Sequence, residues 1–270
     1  MSQRHPSKWD LTRRVRIGSV KSMFGRRKPP PATAQPAEPL DSPGTQALMR
    51  QVQSQLAEKP LLGAQIAGKE ILQNILTMVK NERGVQIEVV ATILGGLAGR
   101  ACLLAGLSGQ AGNDPALRML TLNTIGTKDG SSYVVGDAIN RQLAEGPYSV
   151  FALIAGYLQS VGEPIPEAHE YFAHSMQSLG GPAFGVPRFA PGTDAGSTPL
   201  QYADAMWASS SNSLRRDAPD PQLWPTAYGI AIQQMLEMAK GAGLDLPVLV
   251  RVIMDSALAV SKIPLRAAAA

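Results

Sequence analysis

The phrase HEYFAH places His169, Glu170 and His174 within six residues, shortly after Glu167. Histidines beside carboxylates suggest either a metal site or an acid–base pair. A helical zinc site sets two histidines four residues apart, on one face. Here they are five apart and diverge by about 140° on a helix, too far to share one ion. Glu170 and His174 are four apart and do share a face, with Glu167 one turn earlier. Such a carboxylate either tunes an imidazole as acid or base or forms an ordinary surface pair. Downstream, GGPAFGVPRF surrounds Phe184 with Gly180, Gly181, Pro182, Gly185 and Pro187 and leads into Arg188. This loop either presents amides and Arg188 to a carboxylate or phosphate or is a turn pinned by Phe184 in the core. Glu170, His174, Phe184 and Arg188 are therefore the candidate binding residues.

Other familiar chemistry is missing. GAQIAGKE approaches a phosphate loop, but Glu70 stands where a Ser or Thr should hold magnesium, and no strand precedes it. There is no GxGxxG after a strand, no GxSxG elbow and no SxxK set. The single cysteine, Cys102, excludes an internal disulfide framework and a cysteine-based zinc site. With three histidines and no pair at ligand spacing, neither a metal nor a cofactor is expected.

The elements that would position these residues read as helices. Thr45 can cap a helix to about Glu58, with Leu48, Val52 and Leu56 four apart, stopped by Pro60 and Gly63. A second stripe runs from Gln65 to Lys80. From Val89 to Leu107 only Arg100 is charged, over 19 residues. That length approaches a membrane span, but Arg100 would cost roughly 2.5–3.5 kcal/mol inside one. Glu88, Thr92, Gly96 and Arg100 also form a polar or small line opposite Ile87, Ala91, Leu94 and Ala98. The spacing therefore predicts a central buried helix, its glycines admitting a close neighbour, and no integral span.

TLNTIGTKDGSSYVVGD predicts a hairpin turning at Lys128-Asp129-Gly130. Asp137 should cap AINRQLAE, and Pro147 should open an interior helix. A helix over 166–179 should close at Gly180-Gly181, followed by an irregular stretch to Thr198. Thr198-Pro199 should start LQYADAMWAS, with SSSNSLRRDAPDP a polar, flexible loop. Two last helices, ending near Lys240 and Lys262, should pack antiparallel across GAGLDLP.

The front of the chain differs chemically. The chain has 25 basic and 21 acidic residues; nine of the former and one of the latter lie within 1–28, so this segment carries +8 and the rest −4. PPPATAQPAEPLDSPG follows, an extended spacer by composition. The longest apolar run in 1–28 is two residues, too short for a secretory signal. Met23 offers a second candidate start. The arm either attaches to anionic lipid or nucleic acid through residues 4–28 or simply solubilises the chain.

GGPAFGVPR, WPTAYGIAIQQ and SSYVVGDAIN resemble phrases of a bacterial family of mostly helical proteins. The resemblance covers scattered parts of 130–235 and carries no reaction and no site residues. The expected architecture is mainly α: a multi-helix globular domain with one small β-hairpin over 45–265, behind a disordered basic, proline-rich tail over 1–44. The expected function is a cytoplasmic helical binding or scaffold protein with a protein partner or a second copy of itself. The alternatives are an enzyme or small-ligand binder using the 166–198 helix and loop, and a protein held to a membrane surface or nucleic acid by its tail.

Overall fold

A computed structural model describes residues 54, 58–82 and 84–265. The tail over 1–44 and most of the helix expected over 45–58 lie outside the described residues. Helix α1 spans Pro60–Val79. Pro60 stands in its first turn, where a missing N–H costs nothing, so the helix expected from Gln65 begins five residues earlier and Gly63, expected as a stop, lies inside it. Lys59, at φ −130° and ψ 74°, makes the break before it. Ala64, Ala67, Ile71, Leu72 and Ile75 recur at three- and four-residue spacing and form its buried face.

Helix α2, Ile87–Ala111, runs through the centre of the core. It is long and apolar enough to cross a membrane, yet 83% of its most apolar window is buried inside protein. Its small residues set the packing. A Cβ on Gly95 or Gly99 would strike the backbone of Ile253 or Ala257, and one on Gly96 would strike the Pro199 carbonyl. The line of Glu88, Thr92, Gly96 and Arg100 thus turns partly toward the helix that begins at Pro199. There Arg100 pairs with Asp204 and donates to the Ala203 carbonyl.

After a short turn of helix, α3 (Pro115–Arg118), strands β1 (Asn123–Gly126) and β2 (Ser132–Val135) pair antiparallel, with Thr124 opposite Val134. Gly130, at φ 83°, makes the turn, and Asp129 accepts hydrogen bonds from Thr127 and Ser131. Helix α4 (Asp137–Asn140) follows and widens into a π turn over Arg141–Glu145. Gly136, not Asp137, is the residue at its N-cap. The backbone there takes φ 145° against the Thr121 carbonyl, leaving no room for a Cβ. Asp137 instead accepts from the Thr121 hydroxyl at 3.1 Å.

Helix α5 spans Val150–Ser160, and Ser149, rather than Pro147, opens it by accepting from the Ala152 N–H. Only Val150, Ile154 and Leu158 of α5 are buried, so it lies on the core rather than within it. Helix α6 is Ala168–Ser178 and α7 is Pro199–Asp217. A capping box between Thr198 and Gln201 starts α7. The helix continues through the serines expected to form a loop. Ser210, Ser211 and Ser213 are buried; Ser209 and Ser211 donate to the carbonyls of Met206 and Ala208, and Ser213 donates to Glu70.

Helices α8 (Trp224–Gly241) and α9 (Leu246–Ser261) complete the chain. Their short connection was expected to make them a pair, yet α9 packs chiefly along α2, and α8 against α1 and α2. Gly95 and Gly99 explain this. Moving four residues along α2 moves the contact from Ile253 to Ala257, so the two helices run in the same direction at backbone distance.

Candidate functional site

The loop over 180–198 joins three pieces that are remote in sequence. Gly180, at φ 73°, turns the chain out of α6 against Thr127 of the hairpin turn. Phe184 meets the ring of Tyr133 edge-on, with centroids 4.9 Å apart. Arg188 then reaches α9. Its Nε and Nη2 donate to the two oxygens of Asp255 at 2.9 and 2.8 Å, and its backbone N–H donates to the same carboxylate at 3.0 Å. Arg251 donates from Nε to the Arg188 carbonyl at 3.0 Å. The Asp255 side chain is 3% exposed, so its charge is matched where water does not reach it. Accepting these hydrogen bonds, the Asp255 carboxylate holds the Arg188 proton more tightly than usual.

This geometry decides what Arg188 can offer. The fork that would clasp a ligand carboxylate or phosphate is closed on Asp255. The guanidinium also lies 5.9 Å from the ring centre of Tyr171. Burial, then the Asp255 charge, pushes the Tyr171 hydroxyl up to about 12. On α6, Glu170 is exposed and His174 half-buried, while His169 faces Glu167 at 3.8 Å in solvent. Phe184 and Arg188 thus meet the hairpin and α9 respectively, and neither of the two cavities described below includes any of the four candidate residues. Among the described residues no group of three or more His, Cys, Asp or Glu is placed to hold a metal ion. Burial raises the Cys102 thiol far above its ordinary value, so it stays protonated.

One buried charge had no signal in the sequence beyond its place at the end of an apolar stripe. Lys262 caps α9 and is 4% exposed. Its Nζ donates to the Leu258 carbonyl at 3.3 Å and lies 5.8 Å from the centre of the Phe172 ring. No carboxylate among the described residues lies within ion-pair distance, and burial pushes its pKa down to about 8. Its own carbonyl accepts from Val134 at 2.7 Å, fastening the hairpin to α9.

The larger cavity lies elsewhere. A groove of about 570 Å³ runs between α1, α5 and α8. Leu62 and Ile66 of α1, Tyr157 of α5 and Ile230 of α8 give it apolar walls, while Gln65, Lys69, Gln233, Gln234 and Glu237 bring polar groups. Gln233 is held by donating to the Leu153 carbonyl at 2.7 Å. Gln65, Lys69 and Gln234 make no hydrogen bond among the described residues. Leu62 and Ile66 remain 36% and 42% exposed. A smaller cleft of about 350 Å³ lies over Arg100, Asp204 and Trp207, beside Ile263 and Leu265. Its arginine is already paired.

The fold and site define a mainly helical protein with an open amphipathic groove. No protein-family model, curated protein or solved structure matches the chain.

Proposed function

We propose that this chain is a helical binding protein whose α1–α5–α8 groove receives an amphipathic helix. The observation that supports this is the mixed lining. Leu62, Ile66 and Ile230 offer an apolar strip, and uncommitted amides and charges stand along it. Recognition of a helix in a groove uses that combination: side chains one turn apart enter the apolar strip, and polar groups fix orientation. A small polar substrate would leave the exposed isoleucine and leucine unsatisfied.

The test is a blocking substitution. Gly156 is exposed on the α5 wall, and nothing lies within 4 Å of where its Cβ would sit. Gly156→Trp therefore fills the groove without touching the core. The variant should keep the wild-type melting temperature and lose the polypeptides that the wild-type chain and His174→Ala both retain. Retention unchanged by Gly156→Trp overturns the proposal. Loss of a stabilising small molecule on His174→Ala would instead favour a site at α6.

A further inference from the structure

We infer that the helix entering the groove is α1 of a second copy of this chain, so that two copies pair about a two-fold axis with each α1 in the other's groove. This rests on the reading of the groove as a helix-binding site, and it names the occupant.

Three observations carry it. The first is that the groove's own wall is a helix that fits it. Leu61, Leu62 and Ile66 of α1 are exposed within six residues, whereas α2, α6 and α8 each show solvent a single large apolar side chain. One surface thus carries both the groove and an amphipathic helix with an apolar strip. A two-fold interface requires that, since the same patch must serve both sides.

The second is the direction of the helices. Glu70 of α1 binds Ser213 and Arg216 near the end of α7, and Gly68 packs against the Ala227 carbonyl in the first turn of α8. Leu62, two turns earlier on α1, therefore lies beside the later part of α8, and the two helices run antiparallel. The groove accordingly has a different charge at each end. Lys69 stands toward the Ile230 end and Glu237 toward the Leu62 end. Both are exposed, and neither forms an ion pair among the described residues.

The third is how these features map onto themselves. A two-fold axis crossing α1 midway between Leu62 and Ile66 lays the two α1 helices antiparallel. Leu62 of each copy then meets the second copy's Ile66, and the ends of the grooves are exchanged. Lys69 of each copy, about 8 Å along the helix from the axis, comes to the Glu237 end of the other. A parallel pairing would set lysine against lysine and leave both glutamates unmatched. Exposed ion pairs add little affinity but fix register and partner, so the dimer is weak and depends on concentration.

Sedimentation velocity of the full chain tests this. Wild type should show a reversible monomer–dimer equilibrium at concentrations up to about 0.5 mM, and Ile66→Asp and Gly156→Trp should abolish it. Lys69→Glu alone and Glu237→Lys alone each place like charges at both contacts and should weaken self-association about tenfold. An equimolar mixture of those two variants meets opposite charges at both contacts and should dimerise within about twofold of wild type. Mixing repairs a contact between copies and cannot repair a defect within one chain. A mixture no tighter than its components overturns the inference, as does a wild-type chain that stays monomeric or a dimer that none of these substitutions weakens. In each of those cases, polypeptides retained by wild type and lost by Gly156→Trp leave the groove a site for another chain's helix; retention unchanged by Gly156→Trp overturns both readings.

Discussion

Replacing Lys262 by methionine should stabilise the fold at neutral pH and remove a rise in stability that the wild-type chain shows in mild alkali. The lysine is 4% exposed, and burial lowers its pKa from 10.5 to about 8. Below pH 8 both the folded and unfolded chains hold the proton, and the folded chain carries the whole cost of burying the charge. Between pH 8 and 10.5 the unfolded chain binds more protons than the folded one, so stability climbs with pH. Above 10.5 the lysine contributes nothing further. A fall from 10.5 to about 8 corresponds to about 3 kcal/mol, of which about 2 kcal/mol is recovered by pH 9.5. The buried tyrosines act in the opposite sense at higher pH. Tyr171 sits at about 12 against an ordinary 10, so the unfolded chain ionises first and stability falls above pH 10. The clean window is therefore pH 7 to 9.5. Methionine keeps the length and flexibility of the stem without the charge. Urea titrations followed by circular dichroism should show Lys262→Met ahead of wild type at pH 7, with the gap shrinking by about 2 kcal/mol at pH 9.5. The lost bond to Leu258 and contact with Phe172 reduce the size of the gap, while its slope with pH is set by the titration of the wild-type lysine alone. A gap that does not change with pH refutes the reasoning.

The remaining predictions concern the pieces that hold the groove and loop in place. Arg188→Ala leaves the Asp255 carboxylate buried and unmatched and should cost about 3–5 kcal/mol in urea titration. Asp255→Ala should cost less, about 2–3 kcal/mol, because Arg188, with its side chain 38% exposed, regains water; the reverse order would mean the carboxylate is not the costly partner. Gly99→Ala drives a methyl into the Ala257 carbonyl and should lower stability by about 1–3 kcal/mol. Gly156→Ala meets only open space and should raise stability by about 0.5–1 kcal/mol; paired thermal melts check the contrast. Thr198→Ala opens the capping box of α7 and should cost about 1 kcal/mol, read as a lower melting temperature.

What the sequence disclosed follows from which forces are local. The central helix was legible because an apolar run broken by a single Arg100 is costly in a membrane and cheap beside an acid. The hairpin was legible from Lys128-Asp129-Gly130, and α7's start from Thr198-Pro199. The failures share a cause. Ser209, Ser211 and Ser213 read as part of a flexible loop because the stretch is polar, but their hydroxyls bond within one turn of helix or to Glu70, far away in sequence. Gly63 was read as a stop, yet it lies inside α1, because a glycine is tolerated within a helix as well as after one and composition does not separate the two. The expected α8–α9 pairing failed because loop length says who follows whom, while backbone contact at Gly95 and Gly99 says who touches whom. The spacing offered Arg188 to a ligand's carboxylate or phosphate, but its fork is closed on Asp255, 67 residues later on the chain's own last helix, a pairing that no local pattern encodes.

That partner changes how the polar groups divide between architecture and recognition. Arg188, Asp255, Arg251 and Lys262 are all tied to α9, and between them they fasten the loop and the hairpin to it. On the far side of α1, Glu70 likewise binds Ser213 and Arg216 to keep α7 in place. Such groups are poor ligand receptors, since a ligand would have to replace a bond already formed in a water-poor setting. The groove residues are in the opposite condition. Gln65, Lys69 and Gln234 make no hydrogen bond among the described residues, so a partner can bond them without disturbing the fold, and the apolar strip of Leu62, Ile66 and Ile230 supplies the driving force. Covering Leu62 and Ile66 alone removes two aliphatic side chains from water, which on burial is worth about 1.5–3 kcal/mol for each when complete and less here, where both are already more than half covered. That is too little on its own to hold a free peptide against the entropy of association, so a partner must bring contacts with the polar groups along the groove as well.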